Sequence, residues 1–344
     1  MAFTLEDVGR HCGVSRSTVS RVINNSPLVN EATKERVLKA IRELKYAPNL
    51  IARSLTTNRT QTLAVALPDI TGGVFPEILA GMDEVASQRG YRLLVVFMGG
   101  ERPRSDAVEE LIAHRRVDGI VTVAGTIDDK DLVRMAEGDV ALVCIARRSP
   151  VSKVPSVLFD DAGGALEATR LLLAQGRKQL VHIRGPEGNF DAQERRRGFQ
   201  TALREAGIAF EPQREIAGDF RREIGVKAMR DFLKTGIAFD GIFAANDETA
   251  IAAIEVLNEK GVAIPREVAI VGFDDIESAR FIGLSTVHIP TRESGRVAAR
   301  MAFDLIDGKK SVDSHILATE VVQRASSMVG SAGKPIMINK PQGR

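Results

Sequence analysis

An α/β protein with an N-terminal helix-turn-helix headpiece and a larger core of parallel sheets is the fold class that the sequence predicts. Three observations predict it. Residues 4–24, TLEDVGRHCGVSRSTVSRVIN, hold two short amphipathic helical patterns joined by a glycine turn. From residue 62 onward, short β-branched apolar runs alternate with helical stretches, the pattern of a doubly wound sheet. Charge is also uneven: residues 1–60 hold 10 Lys/Arg and 5 Asp/Glu, a net of +5, while the remainder nets −3. Positive charge gathered beside a helix-turn-helix favours a polyanionic partner for the N-terminus alone.

Composition narrows the class. A chain of 344 residues has room for two or three domains with full cores, and 44% hydrophobic with 27% charged residues suits folded rather than disordered chain. Cys12 and Cys144 are isolated, so neither a disulfide framework nor a zinc site is expected, and no cofactor motif is present. The N-terminus lacks an apolar export core, and no apolar run reaches the ~18 residues of a membrane span. A cytosolic protein without a membrane partner is the expectation.

Taken in order, Thr4 is the N-cap of a first helix in which Leu5, Val8 and Cys12 share a face. Gly13 tolerates the positive φ at which that helix stops. Ser15 caps a second helix through Val22, with Thr18, Val19 and Val22 spaced to pack on the first. Its outward residues Arg16, Ser17, Ser20 and Arg21 are the guanidiniums and hydroxyls that bond phosphates and guanine edges in a major groove. The pattern alone also fits an ordinary helical hairpin with a solvated polar face. After a loop from Asn24 to Pro27, Asn30 caps a third helix over 31–44 with Val37, Leu38, Ile41 and Leu44 as its apolar stripe. Pro48 ends it, because the residue before a proline is pushed out of the α region. NLIARSL, residues 49–55, is too short to be a stable helix alone in water, and TTNRTQT is a polar linker.

TLAVALPDI, RLLVVFM, GIVTVA, ALVCIA, SVLFD, QLVHIRG, GIFAAN and VAIVGFDD read as strands buried on both faces. Helical stretches such as 75–90, 163–176, 194–207 and 248–261 lie between them, closed by glycines. The length suits two sheets, and ligands of such folds sit beyond the carboxyl ends of strands. Asn246 and Asp274 each end an apolar strand and so point toward that region. Asp191 and Arg195 stand four apart at a helix start; the spacing also fits a surface salt bridge or a capping aspartate.

CGVSRSTVSRVIN resembles, almost letter for letter, the opening of the lactose-repressor (LacI/GalR) family. GPEGNFDAQERRRGF, AANDETA and VAIVGFDDIESA extend the resemblance over nearly the whole chain. The resemblance implies a two-lobed, periplasmic-binding-protein-like core with crossovers near Phe159–Asp161, Ile289–Pro290 and Thr319–Val321. Domains are then expected at 1–47 (headpiece), 48–61 (hinge helix and linker) and 62–330 (core), with 331–344 as a tail. Within the core, one lobe takes 62–158 and 290–319, the other 160–289 and 320–330. The resemblance further implies a hinge helix in the DNA minor groove, with Leu55 as the wedging leucine and Ala52 one turn earlier. Thr4, Ser15, Arg16, Ser17, Thr18, Ser20, Arg21 and Asn24 complete the implied DNA-binding set.

For the cleft, the resemblance implies effector binding by Arg195, Asn246 and Asp274 with Asp191, by Phe220 as a packing aromatic, and by Phe75 and Arg147 at further positions. Three departures stand out: Val74 where an aromatic is usual, Ala146 where an aspartate is common, and Ile289 where glutamine is frequent. Arg147, Arg195, Arg184, Arg221 and Arg222 would suit an acidic or phosphorylated sugar. The sequence opposes two rival classes. An enzyme on the same fold is opposed by glycine pairs (72–73, 99–100, 163–164) that form no G-x-G-x-x-G or P-loop, and by His11, His114, His182, His288 and His315, which have no triad or metal spacing. A secreted sugar-binding protein is opposed by the helix-turn-helix. The expectation is a repressor of carbohydrate-utilisation genes, released from a pseudo-palindromic operator by a sugar or sugar-derived effector. A homodimer is expected through helices 75–90 and 248–261, because the tail SAGKPIMINKPQGR has no leucine heptad for a tetramer.

Overall fold

The computed structural model describes residues 3–23, 26–46, 59–68, 73–98 and 106–328. Asn24, Ala52, Leu55, the 49–55 helix and the tail from 331 lie outside them. The chain divides into two compact units, 1–60 and 61–344.

In the first unit, α1 (Leu5–Cys12), α2 (Arg16–Ile23) and α3 (Glu31–Glu43) close one small core. Thr4 and Asp7 form a reciprocal capping box: Asp7 N–H donates to Thr4 Oγ1 at 3.3 Å and Thr4 N–H to Asp7 Oδ2 at 2.9 Å. Gly13 takes φ 66° at the end of α1, the left-handed value that a side chain resists. Ser15 Oγ then accepts from Thr18 N–H at 3.1 Å, and Asn30 Oδ1 from Thr33 N–H at 2.8 Å, starting α2 and α3. Val8, Val19, Val22, Val37 and Ala40 are buried. Leu38, Ile41 and Leu44, expected beside Val37 in the α3 stripe, pack from the partly buried rim, and Ala40 takes the deeper place. His11 Nε2 and Glu43 Oε2 join α1 to α3 at 3.0 Å.

The second unit runs β1 (Thr62–Leu67), α4 (Val74–Gln88), β2 (Arg92–Phe97), α5 (Asp106–Ala113), β3 (Gly119–Val123), α6 (Asp129–Ala136), β4 (Ala141–Ile145) and β5 (Ser156–Phe159). It continues with α7 (Asp161–Ala174), β6 (Leu180–Arg184), α8 (Phe190–Glu205), β7 (Glu215–Ala217), α9 (Arg222–Leu233), β8 (Gly241–Ala244), α10 (Asp247–Glu259) and β9 (Ala269–Val271). The last elements are α11 (Glu277–Ile282), β10 (Thr286–His288), α12 (Thr291–Ile306), β11 (His315–Leu317) and β12 (Glu320–Val322). One parallel sheet has the order β11-β5-β4-β3-β1-β2, and a second has β7-β6-β8-β9. β10 and β12 pair antiparallel.

Burial follows strand position. β3, β4, β5 and β8 are buried at every residue, as a strand covered by helices on both faces requires. β2 is the exception among the predicted strands. RLLVVF is the sheet edge, and Leu94 and Phe97 are exposed.

The chain passes between the sheets three times: from β5 into α7, from β10 into α12, and from β11 into β12. Adjacent passages are bonded together. Asp160 N–H donates to Leu317 C=O at 2.9 Å, and Thr319 Oγ1 donates to Asp160 C=O at 3.0 Å. α7 lies along α8, and this contact is close because residue 198 is glycine: a Cβ there would stand 2.2 Å from Ala162 C=O. That approach brings the start of α7 to the charged residues of α8. No helix among the described residues is long and apolar enough to cross a membrane.

Candidate functional site

In the headpiece, α2 turns Val19 and Val22 inward and leaves Arg16, Ser17 and Arg21 exposed. Thr18 and Ser20 are half-buried between those faces. Ser15 Oγ lies 2.8 Å from Ser17 Oγ and 2.9 Å from Thr18 Oγ1, so three hydroxyls gather at the start of the helix. The Thr4 hydroxyl is committed locally: it accepts from Asp7 N–H and donates to Asp7 Oδ2 at 2.7 Å. Cys12 Sγ donates to Val8 C=O at 3.0 Å within its own helix.

In the core, Arg195 is the centre of a buried polar cluster. It sits in the second turn of α8, with its side chain 5% exposed. Its Nε donates to Asp161 Oδ1 at 2.8 Å, and its Nη1 donates to Ala245 C=O at 2.6 Å and to Asp274 Oδ1 at 3.0 Å. The guanidinium carbon lies 3.9 Å from the centre of the Phe273 ring and 5.6 Å from that of Phe220. Burial opposes the guanidinium charge, but Asp274, Asp161 and Asp191 outweigh it and raise its pKa above the ordinary value. Burial pushes the Asp274 carboxyl up to about 6, and Arg195 holds it from going higher.

Neither reading of the Asp191–Arg195 spacing describes the arrangement. Asn189 caps α8, its Oδ1 accepting from Ala192 N–H at 2.9 Å. Asp191 is buried in the first turn, and the ion pairs of Arg195 go to Asp161 and Asp274.

The neighbouring loops are fixed by strand ends. Asn246 caps α10, its Oδ1 accepting from Thr249 N–H at 3.0 Å and Thr249 Oγ1 at 2.7 Å. Its Nδ2 donates to Phe220 C=O at 3.1 Å, so the cap also holds the turn in which Asp219 and Phe220 adopt φ 54° and 57°. Asp274 takes φ 112°, a rare value for a side-chain-bearing residue. Its N–H donates to Val287 C=O at 2.8 Å, and the adjacent Asp275 is gripped by Arg324 at 2.6 Å and His288 at 3.2 Å. Asp247, fully buried, accepts from Thr286 Oγ1 at 2.6 Å and Ile276 N–H at 2.9 Å. Burial, then the Asp274 charge, hold its carboxyl well above the usual range.

Asp191, Arg195, Phe220, Asn246 and Asp274 thus belong to one neighbourhood on the second sheet's lobe. Phe75 and Arg147 stand on the other lobe. Phe75 is half-buried in the first turn of α4. Arg147 follows β4 and bonds Ile127 C=O and Asp129. The Arg147 side chain is only 10% exposed, whereas Asp129 is 68% exposed, so the pair joins a buried guanidinium to a surface carboxylate. The start of α4 touches the other lobe: a Cβ at Gly73 would lie 2.8 Å from Ile276, two residues beyond Asp274. Arg222, grouped in the sequence with cations for an acidic ligand, is bound to Glu255 at 2.8 Å.

Sequence reasoning missed Asp161 and Phe273. Asp161 follows the apolar run of β5, so the strand-end rule that selected Asn246 and Asp274 selects it too. Phe273 hides inside an apolar run, where nothing distinguishes a guanidinium platform from core.

A reading helix on a small headpiece, carried by a two-lobed α/β core with a charged wall between its strand ends, is the plan of a bacterial transcriptional regulator. The chain belongs to the LacI family of those regulators. Residues 4–49 match the family model for bacterial regulatory proteins of the lacI family, and residues 169–327 match that for a periplasmic binding protein-like domain. The transcriptional regulator RegA of Clostridium saccharobutylicum is 33% identical over 333 residues, covering 95% of this chain and all of that protein. The structure of the regulator CelR in complex with cellobiose superposes with a TM-score of 0.73 at 32% identity, covering 94% of this chain and 99% of CelR. The Lac repressor dimer bound to operator and the anti-inducer ONPF gives 0.86 at 26% identity, covering 96% and 100%.

Proposed function

We propose that this regulator is a cytoplasmic homodimeric repressor of carbohydrate-utilisation genes, released from a pseudo-palindromic operator when a sugar or sugar derivative occupies the cleft. It works by binding rather than catalysis, with no cofactor or metal. One observation carries the reading: a single chain holds both an exposed Arg16–Ser17–Arg21 face and a buried ion pair between Arg195 of α8 and Asp274 beyond the end of β9. The similar structures hold an operator in one case and cellobiose in the other, ligands of the classes proposed for these two faces.

In this reading Ser15, Arg16, Ser17, Thr18, Ser20 and Arg21, with Thr4, Asn24, Ala52 and Leu55, contact DNA. Phe75, Arg147, Asp191, Arg195, Phe220, Asn246 and Asp274 contact the effector. Residues 1–47 form the headpiece, 48–61 the hinge and 62–330 the core. Nuclease protection of the DNA upstream of the gene, with and without a panel of sugars, tests the whole. Failure to protect any site would defeat the DNA half; protection unaffected by every sugar would defeat the effector half.

Arg21→Ala weakens operator binding by about 1–3 kcal/mol if Arg21 reads a guanine edge, with a smaller loss on random DNA. Equal losses on both DNAs would place Arg21 on phosphate instead. Sedimentation gives a particle of twice the 37.3 kDa chain mass, because one headpiece reads only a half-site. A monomer at micromolar concentration, or a tetramer surviving deletion of residues 331–344, would contradict the proposed assembly.

A further inference from the structure

Arg195 faces more carboxylate than one guanidinium can neutralise. Asp161, Asp191 and Asp274 all act on it, and its ion pairs are with the first and last. Asp161 Oδ2 and Asp191 Oδ1 are sealed from solvent with no hydrogen-bond partner. These two oxygens belong to side chains within hydrogen-bonding reach of each other. An ionised carboxylate only accepts, so two such groups in contact repel and leave both oxygens unsatisfied. One proton between them removes both penalties.

We propose that Asp161 and Asp191 share one proton, Asp191 donating from its carboxyl to Asp161 Oδ2, and that Asp161 so held is the residue that positions Arg195. Asp161 then accepts on both oxygens, from Arg195 Nε on one side and Asp191 on the other. The charges around Asp191 agree. From α7 comes Asp161, and from α8 come Arg195 and, beside Asp161, Glu194; from the turn after β9 comes Asp274. Among these groups Arg195 is the cation, and it is already bonded to two carboxylates. Burial, then the neighbouring Asp161 charge, hold the Asp191 carboxyl well above the usual range. Asp161 is also raised by burial, with Arg195 opposing.

A ligand that needs Asp191 ionised must displace this proton, whereas one that donates to the free oxygen of the neutral carboxyl leaves the proton in place. Ligand affinity therefore varies with pH according to which bond forms. That consequence rests on the cleft being the effector site; the pair itself does not.

The test uses the full chain without effector. Isotope-edited infrared spectra of 13C-aspartate protein show a protonated carboxyl band at neutral pH that Asp191→Asn removes. Asp161→Asn removes the same band, because the new amide donates to an ionised Asp191. In thermal melting, the sign is set by a folded-state pKa raised above the unfolded one. Such a group's stability is complete below the unfolded value and lost as pH rises through the folded value. The parent protein therefore loses stability relative to Asp191→Asn as pH rises, and the two converge in acid. A band that survives in either variant, or a melting difference constant with pH, overturns the shared proton. Silence of every sugar in the protection assay would defeat the effector reading and leave these readouts unchanged, so the two failures are distinguishable.

Discussion

Arg195→Ala is expected to abolish the effector response and to lower the melting temperature of the core by on the order of 10 °C. Removing one partner of a buried ion pair costs about 3–5 kcal/mol, because the remaining charge is left in a poor solvent. Here two partners are orphaned together, Asp161 and Asp274, and the Ala245 carbonyl loses its donor. The loss shrinks in acid, since protonated carboxyls need no counter-charge. Operator binding survives at temperatures where the core is folded, because no DNA-contacting residue is altered. Melting curves from acid to neutral pH, paired with protection assays, check both parts. A variant that melts with the parent and still releases DNA would remove Arg195 from the centre of the site. Arg195→Lys keeps the charge without the fork and is expected to lose most of the response as well.

Phe243→Ala is the second large effect, a loss of about 3–5 kcal/mol seen as a lower denaturation midpoint. Phe243 is wholly buried in β8, stacked with His182 at 5.4 Å and Phe199 at 6.0 Å and edge-on to Phe273 at 6.5 Å. Phe273 in turn carries the Arg195 guanidinium. The cavity therefore opens beneath the ring that supports the site, and effector affinity falls together with stability. Phe243→Leu, which refills part of the volume, separates the two: stability recovers more than affinity if the ring stack aligns Phe273. Equal recovery of both would mean that the stack only fills space.

The headpiece was legible because its signals are local. A threonine cap answered by Asp7, a glycine at positive φ and a serine cap lie within one turn of what they organise. Central strands were legible for a related reason, since burial on both faces writes a continuous apolar run. β10, β11 and β12 escaped because each has three residues of mixed polarity and owes its pairing to distant chain. Edge strand β2 kept its apolar run without the full burial such a run implies. In the cleft, residue types at strand ends marked Asn246 and Asp274, but the partners of Arg195 stand 34 and 79 residues away. No spacing rule spans such distances. The partners of the cations were hidden for the same reason: Arg222 and Arg147 look free in the sequence, yet each meets a carboxylate placed there by the fold.

The bonding between the three passages that link the lobes has a mechanical consequence. β5 pairs with β11 on one side, β10 with β12 on the other, and Asp160 is latched to Leu317 and Thr319 between them. Strands latched in this way cannot slide past one another without breaking several ladder bonds, so translation and shear of the lobes are costly. Bending and twisting the ribbon break none. The lobes are therefore left with rotations about the ribbon as their cheap motions. A ligand that seats itself between them works against these soft rotations and not against the stiff slide.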